Sequence, residues 1–217
     1  MAGRKFTPDD FMYPSSYDIP EAESDLHRKV VTDLIARLEA RYSADPNVYV
    51  SGLTRVYCEE WNPYDVLVPD CFVVFGVPKR GRTMYLGWQE ARMPNVVIEV
   101  TSKYTEQEDK YTKVRRYERD WQVEEYFVFD PGQEYLNPPL QGYRLVRGKF
   151  TSLKPSSGSL TSRVFGITLT ADGTRLVLRD TTTGEELLTA TEQRAATEAE
   201  VARLKAELDA LRRKPTK

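Results

Sequence analysis

The sequence is poor in the residues that build disulfide frameworks and zinc sites. Its 217 residues include two cysteines and one histidine. Two cysteines are too few for a disulfide-built fold, and we expect Cys58 and Cys71 to be reduced, partly buried thiols. Because His27 is the only histidine, a Cys/His zinc site is excluded. The same shortage disfavours a Ser-His-Asp or Cys-His mechanism.

Long apolar runs are also absent. The chain turns polar after Phe6, without the apolar core of a signal peptide. No stretch approaches the roughly 20 apolar residues that a bilayer-spanning helix needs. We therefore expect a cytoplasmic protein with no membrane-spanning segment.

The chain carries little excess charge, with a formal net charge of −2. This argues against a protein that coats nucleic acid through its whole surface, because such binding is driven by positive charge along the phosphates. A phosphate-binding surface would have to be local. Acidic residues in the C-terminal tail would mask such a patch in the total.

The apolar pattern predicts an α/β fold with a mixed sheet. Ser24 is a candidate N-cap for a first helix, in which apolar residues recur every four positions. One amphipathic crossover helix separates the third predicted strand from the fourth. The predicted elements are a helix over 24–42, strands over 48–57, 66–75 and 96–101, a helix over 106–120, and a strand over 125–130.

The C-terminal third predicts a β extension followed by a helical tail. From Gly142 onward short strands take over, and from about residue 188 there is no glycine or proline until Pro215. The predicted short strands are 143–146, 165–169 and 175–180. We divide the chain into an N-terminal arm over 1–22, a core domain over 23–187 and a tail over 188–217.

The tail contains a short apolar seam. Val201, Leu204, Leu208 and Leu211 step by 3, 4 and 3 residues, which is the spacing of a coiled coil. This pattern predicts a homodimer through the C-terminal helix. The alternative is a solvated, frayed helix.

Two carboxylates lie inside apolar strands. Glu99 has apolar neighbours on both sides, and Asp70 follows Pro69, which is typical of an irregular strand start. A buried carboxylate is costly unless it is paired, hydrogen-bonded or bound to metal. On neighbouring strands the two acids can converge, and with the Val100 carbonyl they offer the oxygen ligands that Mg²⁺ prefers. The structural alternatives are a turn cap at Asp70 and an ion pair between Glu99 and a lysine of the crossover helix.

Several motifs resemble one known family when they are taken in chain order. They are Pro69-Asp70, the segments 74–79, 88–94 and 98–103, the helix pattern Asp109, Lys113 and Tyr117, and the strand 125–131. Over roughly residues 20–170 the chain is similar to the bacterial "putative restriction endonuclease" (Uma) family of the PD-(D/E)XK nuclease superfamily. The resemblance implies a restriction-endonuclease-like core, Mg²⁺ or Mn²⁺ as the cofactor, and DNA as the substrate.

The resemblance also implies a catalytic lysine. The superfamily places it two residues after the second acid, where this chain has Thr101. The family resemblance implies relocation to the helix, where Lys113 matches, with Asp109 one turn away to hold it. A surface ion pair is the alternative for those two residues. Lys110, nearer the apolar stripe by helical angle, and Lys103 are further candidates, which we assign to substrate binding.

The resemblance finally implies a mechanism. A metal on Asp70 and Glu99 would polarise the scissile phosphate and activate a water that Lys113 orients. A short basic loop with Lys79, Arg80 and Arg82 is a candidate phosphate contact, and a solvated loop is the alternative. The predicted function is Mg²⁺-dependent endonucleolytic hydrolysis of DNA. The alternative is a catalytically silent nuclease-fold protein that binds nucleic acid or a protein partner and dimerises through its tail.

Overall fold

The chain folds as an α/β protein with a mixed sheet, as predicted. A computed structural model describes residues 24–90, 92–101 and 112–212. The predicted N-terminal arm over 1–22 lies outside the described residues. The helices are α1 (Asp25–Arg41), α2 (Gly87–Glu90), α3 (Val114–Arg119) and α4 (Ala190–Arg212). The strands are β1 (Val48–Ser51), β2 (Val56–Tyr57), β3 (Val66–Leu67), β4 (Cys71–Phe75), β5 (Tyr85–Leu86), β6 (Val96–Val100), β7 (Glu125–Phe129), β8 (Leu140–Val146), β9 (Lys149–Ser152), β10 (Ser159–Ser162), β11 (Ile167–Asp172) and β12 (Arg175–Asp180).

The first helix follows its sequence signals closely. The Ser24 hydroxyl accepts a hydrogen bond from the His27 amide at 3.1 Å, which satisfies one of the free N–H groups at the start of α1. Asp25 in the first turn and Arg41 in the last turn both suit the helix dipole. One face of α1 is buried against the sheet.

The central sheet has six strands in the spatial order β1-β4-β6-β7-β8-β9. Strands β6 and β7 run parallel, and α3 lies in the connection between them. All other neighbours in this sheet are antiparallel. The predicted crossover helix between these neighbouring strands is confirmed by α3.

The two faces of the sheet carry separate apolar cores, and β6 is buried at every residue. Ile98 and Val100 pack in the core on the α1 side. Val97 packs on the opposite face with Tyr117 of α3. Because side chains alternate along a strand, Glu99 points to the α3 side.

The predicted strand over 48–57 is wrong as a single element. It divides into β1 and β2 because Leu53 has a left-handed φ of 52°. The Leu53 amide instead donates to the Pro69 carbonyl at 2.8 Å. A Cβ added at Gly52 would lie 2.0 Å from the Asp70 carbonyl oxygen, so no larger residue fits there. The close approach of these two chain segments requires glycine.

The predicted strand over 66–75 also divides, into β3 and β4. The break includes Pro69, which has no N–H to donate to a sheet ladder. This confirms the irregular strand start expected before Asp70. Strands β3, β2 and β5 form a separate three-stranded sheet in that order.

The predicted helix over 106–120 is described only in part, because residues 102–111 lie outside the described residues. Residues 112 and 113 have π-helical hydrogen bonding, and α3 follows them. Glu118 on α3 bonds the Lys149 ammonium at 2.9 Å and the Phe150 amide at 2.7 Å, which ties this helix to β9.

The C-terminal β extension is confirmed and is larger than the sequence predicts. Strands β10, β11 and β12 form a three-stranded antiparallel sheet. The polar strands β9 and β10 show little apolar alternation and were not predicted. No helix within the described ranges is long and apolar enough to cross a membrane.

Candidate active site

Asp70 and Glu99 lie together at one end of β4 and β6. Cys71 is paired with Ile98 in this antiparallel ladder, so Asp70, which precedes Cys71, and Glu99, which follows Ile98, are neighbours where the ladder ends. The Val100 amide donates to Asp70 Oδ2 at 2.8 Å. The Asp70 amide donates to Glu99 Oε2 at 3.2 Å. Each carboxylate therefore binds the backbone of the other's strand.

Glu99 is completely buried, at 0% exposure. Two side chains from the connection between β6 and β7 contact its carboxylate. The Tyr117 hydroxyl donates a hydrogen bond to Glu99 Oε1. Lys113 Nζ lies 3.3 Å from the same oxygen. Lys113 and Tyr117 are four residues apart, so both reach inward from one side of the helical segment. This contact also matches the structural alternative of an ion pair between Glu99 and a helix lysine.

Asp70 is 7% exposed, and three groups stabilise its negative charge. Burial alone would raise the pKa of Asp70. A hydrogen bond from His27, the charge of Lys113 and the Val100 amide together outweigh burial and lower that pKa below its ordinary value. The carboxylate is therefore ionised at neutral pH, which is the form that ligates metal.

His27 is a neighbour of Asp70 that the sequence analysis did not place at the site. Its Nε2 lies 3.4 Å from Asp70 Oδ2, and the residue is buried. The signal was present in the spacing, because His27 stands three and four residues before Val30 and Val31 on the buried face of α1. A polar residue in an apolar stripe needs a polar partner, and here that partner is Asp70.

The donor set fits a hard divalent cation. Within the described ranges, no group of three or more His, Cys, Asp or Glu side chains could hold a metal ion. The protein would therefore supply only two carboxylates, from Asp70 and Glu99, and one backbone carbonyl, from Val100. Water molecules would complete the coordination shell, as Mg²⁺ prefers. Because N–H and C=O of one strand residue point to the same side, the Val100 carbonyl faces Asp70 as its amide does.

Thr101 occupies the position of the superfamily's lysine. It is buried, and its hydroxyl has no hydrogen-bond partner in the part of the chain that the structure describes. Its side chain cannot supply positive charge, whereas Lys113 approaches Glu99 from the crossover side. The alternative lysines and the predicted partner of Lys113 lie outside the described residues. They are Lys103, Lys110 and Asp109.

The basic loop lies away from the two carboxylates. Asp70 precedes the first residue of β4, whereas Lys79 comes after its last residue. The five residues of β4 span roughly 17 Å, so the two residues lie at opposite ends of the strand. Lys79 Nζ donates to the Tyr42 carbonyl at 2.7 Å, just past the end of α1. The structure does not bring Lys79 to the carboxylates, and a phosphate contact by this loop stays a prediction.

Arg80 and Arg82 of the same loop are held by Glu90. Arg82 contacts the Glu90 carboxylate through Nε at 2.8 Å and through a second nitrogen at 2.9 Å. Arg80 binds the same carboxylate at 2.8 Å. Both guanidinium groups are already neutralised by the Glu90 carboxylate, so a substrate phosphate would have to compete with Glu90 for them.

We expect this cluster to make the protein less stable in acid. Hydrogen bonds from Arg82, opposed by burial and reinforced by Arg80, hold the pKa of Glu90 at about 2, below its ordinary 4.5. Its stabilising contribution is therefore complete above about pH 4.5 and is lost as the pH falls towards about 2. Urea unfolding between about pH 6 and about pH 3 should show a smaller loss of unfolding free energy for Glu90→Gln than for the unmodified chain. Equal losses would contradict the assignment.

The chain is similar to a known protein family and to a solved structure. The sequence model of a family described as "Uma2: Putative restriction endonuclease" matches residues 18–172. A crystal structure described as "a putative nuclease belonging to DUF820 from Anabaena variabilis ATCC 29413" is similar at 13% sequence identity and a TM-score of 0.48. That similarity covers 67% of this chain and 76% of the other. No curated protein matches the chain.

Proposed function

Since the chain belongs to the Uma2 family, described as "Putative restriction endonuclease", we propose that it is a divalent-metal-dependent nuclease that hydrolyses phosphodiester bonds in DNA. One observation carries the proposal. The two buried acids Asp70 and Glu99 lie next to each other, linked through backbone amides, and Lys113 lies against Glu99. Such a group of charges is costly to bury without a function or a compensating ion.

Each residue of the site has a chemical role in this proposal. Asp70, Glu99 and the Val100 carbonyl would hold Mg²⁺ or Mn²⁺. When bound, the ion supplies Lewis acidity to the scissile phosphate and acidity to an attacking water. Lys113 would orient that water and stabilise negative charge that develops on the phosphate. A lysine suits this role because its ammonium offers several donors on a flexible stem.

Two further residues would position the carboxylates. The Tyr117 hydroxyl fixes Glu99 Oε1, and His27 fixes Asp70 Oδ2. Partners of this kind orient metal ligands and set their basicity. Both are buried, so they act through the carboxylates and have no direct access to substrate.

The outer face of the crossover helix is a candidate phosphate contact. Arg115 and Arg119 are exposed and lie one helical turn apart, opposite the side from which Lys113 and Tyr117 reach Glu99. With Thr112 they line an open cleft. We propose that these arginines bind phosphates that flank the scissile bond, because one short helix then presents charge to both the site and the neighbouring backbone.

A catalytically silent member of the family is the second candidate. Glu99 is 0% exposed, and Asp70 and Lys113 are each 7% exposed. A purely structural ion pair would show the same burial, whereas an active site must admit a phosphate. This candidate would still bind nucleic acid through exposed arginines, or a protein partner, without cleaving.

The decisive experiment combines a cleavage assay with a metal titration. Supercoiled plasmid, single-stranded DNA and RNA are incubated with the protein in Mg²⁺, Mn²⁺ or a chelator, and metal binding is measured by calorimetry. We expect DNA cleavage that requires metal. Metal binding without cleavage would favour the silent candidate. If there is neither binding nor cleavage, the acids are purely structural and the proposal is wrong.

A further inference from the structure

The C-terminal helix α4 is anchored at its first turn. The Glu192 amide donates to the Thr189 hydroxyl at 3.2 Å, and the Thr189 amide donates to Glu192 at 2.8 Å, which is a reciprocal capping box. Glu192 also pairs with the buried Arg37 of α1 at 2.8 Å. Arg37 in turn binds the Leu176 carbonyl at 3.2 Å. The start of α4 is therefore fixed to the folded domain.

Beyond this anchor the helix stands clear of the domain. Between Ala190 and Asp209 every residue except Glu192 is exposed. A helix of this length gains most of its stability in water from burying an apolar face. An apolar stripe on this exposed helix can therefore be buried only against another molecule or another part of the chain.

Such a stripe exists in the second half of α4. Val201 is 44% exposed, Leu204 is 51% exposed and Leu208 is 48% exposed. Their spacing assigns Val201 and Leu208 to heptad position a, and Leu204 to position d. Val201 at one of the two a positions is β-branched and Leu204 occupies d, a combination that favours two strands. The stripe is therefore suited to a single partner helix.

Charges beside the stripe indicate the orientation of the partner. Glu200 precedes Val201 at position g, and Lys205 follows Leu204 at position e. The sequence repeats this pair one heptad later with Glu207 and Arg212. In a parallel pair each g residue faces the following e residue of the partner, so Glu200 meets Lys205. In an antiparallel pair g faces g and e faces e, which would oppose like charges.

We propose that α4 pairs with α4 of a second copy of this chain as a parallel, in-register, two-stranded coiled coil. Because Arg37 and Glu192 fix the start of each helix, the two folded domains lie at the same end of the coiled coil. The two Asp70–Glu99 sites of the dimer then lie at the same end of the coiled coil, where both can act on one substrate molecule. The pairing itself does not depend on those sites being active.

The first test measures association of the full chain. Sedimentation equilibrium should show a dimer whose population rises with protein concentration. Leu204→Lys should raise the dissociation constant at least about a hundredfold, because two buried leucines are replaced by charges. Ala206→Lys, on the outer face of α4, adds the same charge and should leave the constant unchanged. A wild-type chain that is monomeric at every concentration overturns the proposal, as does Leu204→Lys with unchanged association.

The second test measures orientation by charge reversal. In a parallel pair, Glu200→Lys alone and Lys205→Glu alone should each weaken the dimer by about fivefold, and the double variant should restore it. In an antiparallel pair Glu200 and Lys205 do not face each other, so neither single reversal would break an attractive contact between them and the double variant would restore nothing. Strengthening, or no change, overturns the parallel arrangement. Circular dichroism of every variant confirms that α4 remains helical.

Discussion

Replacing Glu99 by glutamine is expected to abolish DNA cleavage, with a loss of at least about a thousandfold in the initial rate. The amide keeps nearly the same shape, but its single oxygen can replace only one of the two Glu99 oxygens, of which one accepts from the Tyr117 hydroxyl and the other from the Asp70 amide. It carries no charge, so it cannot serve as an anionic metal ligand. Calorimetric titration with Mn²⁺ should show that binding is lost with the activity. The same pair of results is expected for Asp70→Asn.

The Glu99 substitution also has a cost in stability, which must be separated from its effect on chemistry. Without the carboxylate, the Lys113 ammonium loses the anion 3.3 Å from it in a buried environment. Removing one partner of a buried ion pair typically costs about 3 to 5 kcal/mol. Urea unfolding therefore accompanies the cleavage assay, and rates are compared per folded molecule.

Glu125 provides a matched control on the neighbouring strand. It is also completely buried, and it accepts from Arg144 at 2.8 Å, from the Arg163 amide at 3.1 Å and from the Ser162 hydroxyl. These partners tie β7 to the C-terminal extension and lie outside the proposed site. Glu125→Gln should lower the unfolding free energy by roughly 3 kcal/mol while the rate per folded molecule is retained. Equal loss of cleavage in both variants would show that the effect at Glu99 is structural.

The convergence of the two acids was accessible from the sequence because it depends on local patterns. Apolar residues on both sides of Glu99 indicate a strand buried on two faces, and Pro69 marks a strand start at Asp70. The antiparallel pairing of Cys71 with Ile98 then brings the two acids next to each other where the ladder ends. The cost of burying charge predicts that they must have polar partners.

The partners themselves depend on packing between distant elements. His27 reaches Asp70 because α1 packs against the central sheet, and the periodicity of α1 does not encode where on the sheet it packs. The basic loop shows the opposite case. Lys79 is close to Asp70 in sequence, but the whole of β4 separates them in space.

The choice between helix lysines was also beyond an ideal helical projection. Counting at a regular α-helical angle places Lys110 nearer the apolar stripe than Lys113. In the structure Lys113 lies inward, one helical turn before Tyr117. Lys110 lies outside the described residues, so the structure does not compare the two lysines.

The inward position of Lys113 leads to the second large prediction. Lys113→Met should lower the cleavage rate at saturating substrate by about a hundredfold, because methionine fills similar space without donating to the attacking water or the phosphate. The Michaelis constant should change little if Lys113 acts on the transition state and not on substrate binding.

The response to metal distinguishes a catalytic lysine from a structural one. Removing a positive charge 3.3 Å from Glu99 Oε1 makes the site more negative, so Mn²⁺ affinity in Lys113→Met should be retained or increased. Lys149→Met is the matched control, because Lys149 pairs with Glu118 of α3 on the surface and should affect neither rate nor metal binding. If Lys113→Met lost metal binding together with cleavage, Lys113 would act by holding Glu99 in place. The positive charge for catalysis would then have to come from another residue, since a lysine that only supports the carboxylate cannot also orient the attacking water.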